Sequence, residues 1–448
     1  MISRLILKNI DKVMKKRVLS NPNYPKKILE EKYALYHAFV RSFDDFVEKK
    51  RATPYFDSLI KSFLPNLLPI ASSQDEKREK FKSKFGTNPP AFLAISPGKF
   101  CNLHCEGCYA CSDSAAKEKL SFDVFDWIMK EKDSWGSWFT VISGGEPLLW
   151  KSDGKNIFDI AKKYPGHLFL MYTNGTAITK EVALKLASVG NITPAISVEG
   201  FELETDARRG NGVFKQILKA MDNLNDAGVP FGISITATKK NVDLILSGEV
   251  FKFFKEKGAL YNWMFQLMPI GRGSFDLLIS GEERAKLYHK VQDLIKEGYF
   301  IADFWNCGAI SDGCISAGRD GGYFYIEWNG NITPCAFNPY AVGNAYDLFT
   351  QARPLGEVLN YPYMKHIREW QSDYGFQKHK DSINNWILPC PIRDHYQDLR
   401  KIIDKDQPKP IDESATEALI DPIYKESMIS YDESLAKALN PIWDQKQK

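Results

Sequence analysis

Eight cysteines constrain this chain more than any other residue type. They fall into two groups far apart in sequence, Cys101, Cys105, Cys108 and Cys111, then Cys307, Cys314, Cys335 and Cys390. The opening residues, Met1-Ile-Ser-Arg-Leu-Ile-Leu-Lys, show no apolar core followed by a small-residue cleavage site, so no secretory signal is expected. Without export, a disulfide framework is not the expected use of these thiols, and metal or redox chemistry takes its place. The first group reads Cys101-Asn-Leu-His-Cys105-Glu-Gly-Cys108-Tyr-Ala-Cys111. Thiolates so closely spaced on one loop can converge on a single metal centre. Zinc held by the four cysteines is the competing reading for this segment taken alone. It leaves the motifs downstream unexplained.

The spacing Cys101-x3-Cys105-x2-Cys108, opening with Cys-Asn-Leu after a predicted strand, resembles the cluster loop of the radical SAM superfamily. The resemblance implies that the three cysteines hold a 4Fe–4S cluster and that S-adenosylmethionine chelates its fourth iron through amino and carboxylate groups. One departure stands out. The residue before the third cysteine is commonly aromatic in the family, whereas here it is Gly107, with Tyr109 following the cysteine as the candidate for adenine-side packing.

Downstream, β-rich apolar runs near 91–97, 138–143, 168–173, 193–199, 231–238 and 263–269 alternate with helical patterns near 121–133, 155–163, 179–188, 212–227 and 247–257. Apolar strands separated by helices indicate a parallel sheet covered on its faces. Six such units match the partial (β/α)6 TIM-like barrel of the resembled family, an α/β fold with its chemistry at the C-terminal strand ends. The second run ends in Ser143-Gly144-Gly145-Glu146-Pro147, similar to the family motif that binds the methionine amino group. Glycines let backbone approach a ligand, and Glu146 offers a carboxylate to an ammonium. The third run ends in Thr173-Asn174-Gly175, also shown by the family. The fourth ends in Ser197-Val198-Glu199-Gly200, similar to a family contact site for ribose and carboxylate, with Ser197 and Glu199 on one face of the strand. Arg209 before the next helix is a candidate partner for the cosubstrate carboxylate, and a solvated arginine is the alternative. Arg272, after the sixth run, is a weaker candidate for substrate binding.

Beyond the barrel, Tyr323-Phe-Tyr-Ile-Glu-Trp-Asn329-Gly330-Asn-Ile-Thr-Pro-Cys335 carries a strong hairpin signal at Asn329-Gly330. Cys314-x15-Gly330-x4-Cys335 resembles the opening of the SPASM/Twitch extension, which implies one auxiliary 4Fe–4S cluster in a small C-terminal α+β Fe–S extension. Cys314, Cys335 and Cys390 are its expected ligands and Cys307 the candidate fourth, with His379 and His395 as remote alternatives. Buried unligated thiols are the competing reading of this group. Cys111 is left over, either a structural thiol or a catalytic hydrogen donor near the radical site.

Net charge, +3 overall, hides an asymmetry. Residues 1–95 hold 19 Lys and Arg against 10 Asp and Glu, and the remainder is acidic. Ile2, Leu5, Ile6, Ile10, Val13 and Met14 recur at helical spacing among lysines, and Tyr55, Phe56, Leu59, Ile60, Phe63 and Leu64 repeat the pattern. Such helices either pack on the body or lie on an anionic membrane surface, and packing is the ordinary outcome. Nucleic acid is not an expected partner, since no recognition module is present. At 44% hydrophobic and 26% charged, composition excludes a disordered chain and a membrane-spanning bundle.

The expected organisation is a basic helical region (1–90), a barrel (91–300), an Fe–S extension (301–400) and a polar tail (401–448). The expected activity is reductive cleavage of S-adenosylmethionine to a 5′-deoxyadenosyl radical, which takes hydrogen from an unactivated C–H bond of a peptide, protein or lipid. A flavodoxin- or ferredoxin-like donor would supply the electron in a cytoplasmic setting, either free or at the inner membrane face. The alternative from another class is a non-catalytic Fe–S electron carrier.

Overall fold

The computed structural model describes residues 4–50, 53–58 and 70–447. Ile2, Leu59, Ile60, Phe63 and Leu64 of the amphipathic patterns lie outside the described residues. Seven strands form a parallel sheet in sequence order: β1 (Phe92–Ile95), β2 (Phe139–Ile142), β3 (Leu168–Thr173), β4 (Ile192–Val198), β5 (Gly232–Ala237), β6 (Asn262–Gln266) and β7 (Ile301–Asp303). The first six are the runs anticipated from sequence. Strand β7 is short, and three residues carry too little periodicity to announce it.

The hairpin of β8 (Tyr323–Ile326) and β9 (Asn331–Thr333) forms where Asn329-Gly330 predicts it. Its placement was not legible. Strand β8 lies parallel beside β1, pairing Phe92 with Tyr323 through Ile95 with Ile326. With β9 and the two-residue β10 (Gly343–Asn344), the described sheet has ten strands and runs without a break from barrel into extension. The Phe92 and Tyr323 rings stack across the join, 5.0 Å apart.

Helices cover the outer face. In α6 (Val213–Ala227), Phe214, Ile217, Met221 and Leu224 repeat at helical spacing and are buried against the sheet, the expected burial of an amphipathic crossover helix. The neighbouring α3 (Phe122–Ser134), α4 (Lys180–Val189) and α5 (Glu202–Arg209) complete that layer.

At the N-terminus, α2 (Lys26–Lys50) buries Ile28, Leu29, Leu35, Ala38, Phe46 and Val47. Its Lys32 pairs with Asp312 and lies 4.1 Å from the Tyr24 ring, while Glu31 pairs with Lys446. Helix α1 (Arg4–Leu19) leans on α2, where Tyr33 donates to Asp11 at 3.0 Å and His37 meets the same carboxylate at 2.9 Å. The apolar face of α2 is therefore used within the fold. Tyr55, from the second amphipathic pattern, is buried as well. Among the described residues, no helix is long and apolar enough to cross a membrane.

The tail is helical. After α8 (Tyr396–Asp406), the ribbon Tyr340–Ala341 with Lys409–Pro410 leads into α9 (Glu413–Ile420) and α10 (Pro422–Gln447), whose Leu435 and Leu439 are buried.

One fully buried ion pair ties the extension to α7 (Gly281–Lys296). Arg284 meets Asp394 at 2.5 Å, with both side chains at 0% exposure, and also donates to Asn306 Oδ1 and the Ile387 carbonyl. Removing one partner of such a pair strands the other charge in a low-dielectric interior. Arg284→Met is expected to cost about 3–5 kcal/mol, read as a lower urea midpoint.

Candidate active site: a cavity shared by two cysteine groups

After β1 the chain runs through residues 96–112 without regular structure, so this loop takes its shape from donors elsewhere. Arg272 donates from Nε to the Cys105 carbonyl (3.1 Å), from Nη2 to the Ser112 carbonyl (2.8 Å) and from its backbone N–H to the Cys108 carbonyl (3.0 Å). Its side chain, a candidate for substrate binding from sequence, holds the cysteine loop. Gly107 has φ +65°, and a Cβ there would stand 2.7 Å from Leu267 Cδ1. A side chain at that position would carry backbone strain and require Leu267 to turn aside. Tyr109 lines the cavity instead, donates to Ser143 Oγ at 3.2 Å, and sits 5.6 Å from the Phe337 ring.

The Gly144-Gly145 turn at the end of β2 receives this loop backbone to backbone. Gly145 donates to the Gly98 carbonyl at 2.9 Å and Glu146 N–H to the Phe100 carbonyl at 2.8 Å. A Cβ on Gly145 would lie 2.1 Å from the Phe100 oxygen and 2.5 Å from the Lys99 oxygen. Both glycines line the cavity, and Glu146 does not. Its carboxylate, expected to face an ammonium, is 1% exposed and accepts from Thr173 Oγ1 (2.7 Å), Asn174 N–H (2.8 Å) and Leu148 N–H (3.1 Å). Burial raises its pKa, against the pull of these bonds. Glu146 thereby fixes the Thr173-Asn174-Gly175 turn, and Asn174 Nδ2 reaches to 3.7 Å from Cys101 Sγ.

Near the end of β4, Ser197 reaches the cavity, and Glu199, just past the strand, lies behind it. Glu199 binds two arginines, Arg208 Nη1 at 2.6 Å and Arg209 through Nε at 3.0 Å and Nη2 at 2.5 Å. Both arginines line the cavity, and Arg209 Nη1 lies 3.9 Å from Cys105 Sγ. Burial pulls the Arg209 pKa down, but Glu199 and the Cys105 and Cys108 thiols outweigh it and hold the group above its usual value. Sequence reasoning missed Arg208, which also donates to the Glu106 carbonyl of the cysteine loop at 2.9 Å. The adjacent Arg-Arg pair closing α5 was the available signal.

Cys307, Cys314, Cys335 and Cys390 line the same cavity as Cys101, Cys105 and Cys108. Burial pushes the Cys335 thiol up to about 12, with Cys314 adding to the shift. Cys390 is raised by burial and then by Asp394, Cys314 and Cys335. Cys307 also rises to about 12, through burial and Asp303. The group thus divides into three mutually interacting thiols and one apart. His395 is bonded to the Leu388 carbonyl, His379 to exposed Asp381, and neither lines the cavity. Cys111 also stays outside the wall, at φ 47° with its N–H on the Cys108 carbonyl. Among the described residues, no three His, Cys, Asp or Glu side chains close tightly enough to hold one metal ion. A mononuclear zinc needs its ligands about 2.0–2.3 Å from a single point. Cluster cysteines instead bind separate irons, and thiols spread around a common space suit that use.

The cavity itself measures ≈480 Å³. Much of its wall is aromatic. The Trp305 and Phe337 centroids lie 4.9 Å apart, with Phe265 at 6.0 Å from Trp305 and Phe304 at 5.3 Å. Leu35 of α2 also lines it.

This geometry agrees with similarity to known proteins. Residues 95–243 match the Radical SAM superfamily, so the chain carries a radical SAM domain. The cofactors of that superfamily are a 4Fe–4S cluster and S-adenosylmethionine. An AdoMet-dependent heme synthase of Methanosarcina barkeri is 28% identical over 288 residues, covering 58% of this chain and 80% of that protein. The sporulation killing factor maturation protein SkfB of Bacillus subtilis is 24% identical over 361 residues, covering 75% of this chain and 82% of its own length. SuiB of Streptococcus suis, solved bound to precursor peptide SuiA, superposes with a TM-score of 0.51 at 20% identity, covering 63% of this chain and 68% of that one. Bound to S-adenosylmethionine, it superposes with a TM-score of 0.51 at 17% identity, covering 70% and 80%. The structural likeness shows a shared fold.

Gly145→Ala forces the Phe100 carbonyl away from β2. The expected results are a loss of about 1–3 kcal/mol in thermal unfolding and a lower iron content after anaerobic reconstitution.

Proposed function

We propose that this chain modifies a peptide or protein by abstracting hydrogen from an unactivated C–H bond, with one auxiliary 4Fe–4S cluster beside the substrate. The supporting observation is the single cavity lined by seven cysteines of two groups, with the glycine turn and the arginine pair at one end. A 4Fe–4S cluster on Cys101, Cys105 and Cys108, with S-adenosylmethionine bound, supplies the 5′-deoxyadenosyl radical and methionine. The chain's own residues position and exclude. Gly144 and Gly145 offer backbone to the methionine ammonium, while Arg208 and Arg209, anchored by Glu199, offer guanidinium groups to its carboxylate. Ser197 lies at the ribose end, and Tyr109 packs beside the loop. The aromatic wall keeps water and stray hydrogen donors from the reacting atoms. Cys314, Cys335 and Cys390 hold the auxiliary cluster with Cys307 as the fourth candidate ligand, and Cys111 is a structural thiol. A flavodoxin- or ferredoxin-like protein supplies the electron.

Similarity to SkfB over three quarters of the chain favours a peptide. The heme synthase match favours a second reading, a tetrapyrrole in the aromatic-walled cavity. The lipid alternative draws on the amphipathic patterns of residues 2–14 and 55–64, of which Tyr55 is buried in the body and Val13 is exposed. A plain electron carrier has no use for the glycine turn and paired arginines beside the cysteine loop.

Anaerobic reconstitution should give about eight irons per chain, and Cys101→Ala about four with no 5′-deoxyadenosine formed. Retained 5′-deoxyadenosine formation in that variant overturns the loop assignment. Arg209→Met should weaken S-adenosylmethionine binding about tenfold by equilibrium titration. Mass spectrometry after turnover with a short peptide encoded beside the gene, an iron tetrapyrrole, or lipid extract decides among substrates. A mass change in the peptide alone is the expected result.

A further inference from the structure

In parallel barrels the inward side chains ordinarily fill the bore in layers. Here small residues at inward positions leave it hollow, and Ala94 on β1, Ser234 on β5 and Ala302 on β7 all line the main cavity. The cavity therefore runs the length of the strands. At their C-terminal end stand the cysteine loop and the glycine turn, and at their N-terminal end Phe92 and Phe139, the first residues of β1 and β2. Helix α2 crosses that second end. Its Leu35 lines the cavity, and one turn later the Phe39 ring meets Phe300, another lining residue, edge to face at 5.3 Å.

Two properties set the lower bore apart. The first is charge. Arg208, Arg209 and Arg272 line the cavity beside the cysteine loop, and among the described residues no carboxylate, lysine or histidine lines it anywhere. The second is a set of neutral donors. Tyr172 on β3, Ser234 on β5 and Trp263 on β6 line the cavity, and the Tyr172 hydroxyl, the Ser234 hydroxyl and the Trp263 indole N–H make no hydrogen bond to any described residue. Ser234 and Trp263 are register partners, and the Tyr172 ring reaches β6 at Phe265, 5.6 Å away. Ser234 is only 8% exposed. Phenol and indole groups in such surroundings ordinarily have a partner. Burial holds the Tyr172 phenol well above its ordinary value, so it stays a donor.

We infer that the lower bore receives one large uncharged side chain of the substrate peptide, apolar along its length and ending in an accepting oxygen, the chemistry of a tyrosine. Apolar walls bury the ring, the neutral donors meet the oxygen, and a charged side chain would be stranded there without a counter-charge. Seated with its oxygen down the bore, such a residue keeps its own Cα and Cβ at the cysteine-loop end. Leu35 of α2 closes the pocket and sets its depth, which gives the N-terminal helix a part in specificity. This inference rests on the peptide reading above.

The test uses reconstituted full-length holoenzyme with S-adenosylmethionine bound, and ligand-observed NMR titration with p-cresol, toluene and benzylammonium. p-Cresol should bind with about millimolar affinity, toluene about threefold more weakly and benzylammonium about tenfold more weakly. Ala302→Leu, whose site is the register partner of Trp263, should weaken p-cresol about tenfold and leave S-adenosylmethionine binding unchanged. Leu35→Phe fills the bore from α2 and serves if Ala302→Leu does not fold. Combining Trp263→Phe with Ser234→Ala should bring p-cresol down to the affinity of toluene. Benzylammonium binding as tight as p-cresol, or p-cresol binding unchanged in both filled variants, overturns the pocket. Selective p-cresol binding by an enzyme that modifies only a tetrapyrrole keeps the pocket and removes the peptide reading. Peptide turnover by an enzyme that does not bind p-cresol does the reverse.

Discussion

A loop that must present three thiolates to one centre cannot stabilise itself with a ladder of its own. Its carbonyls need partners, and here they find them across the barrel rim. Arg272 reaches in from beyond β6, Arg208 from the end of α5, and the backbone of Gly145 and Glu146 from the end of β2. The approach at Gly145 is the tightest of these, since even a methyl group there would overlap the Phe100 oxygen. The positions of the cysteines, the arginine pair and the Asn174 turn all follow from that docking. Glu146 works from behind as a brace, joining β2 to the turn after β3 with a buried carboxylate.

Charge is arranged with similar economy. Glu199 holds two arginines at the cavity wall, so their guanidinium planes are oriented before any ligand arrives. A buried carboxylate between two cations leaves net positive charge at the cavity, suited to a carboxylate ligand and to thiolates. Cys307, Cys335 and Cys390 of the second group sit in the opposite condition, where burial favours the neutral thiol until a metal takes the proton's place.

Much of this was legible in the sequence, and the boundary of legibility has physical causes. Apolar strands alternating with helices gave six parallel strands in the right places, because burial on both faces leaves a dense local signature. Asn329-Gly330 announced a hairpin through turn chemistry alone. The pairing of β8 with β1 left no local trace, since parallel partners far apart in sequence share no turn. Glu146 and Glu199 were singled out as ligand-facing, and the bonds that they make within the fold, to Thr173 and Asn174 and to two arginines, were not legible, because residue type and spacing do not say which atoms are already bonded. Arg208 escaped for the converse reason, as an arginine beside another at a helix end resembles an ordinary solvated pair. Sequence patterns identified which residues gather. The geometry then distinguished those lining the cavity from those holding the lining in place.

The parallel union of β8 with β1 also bears on how the chain is made. Strand β1 emerges early in synthesis, yet its outer edge finds a partner only when residues 323–326 have followed. Until then, the nascent barrel carries an unpaired, strongly apolar edge of the kind that invites mispairing with other chains. Final closure of the sheet is therefore a late event on the ribosome's timetable. Truncation before Tyr323 would leave the barrel permanently in its unguarded state, whatever cofactors were supplied.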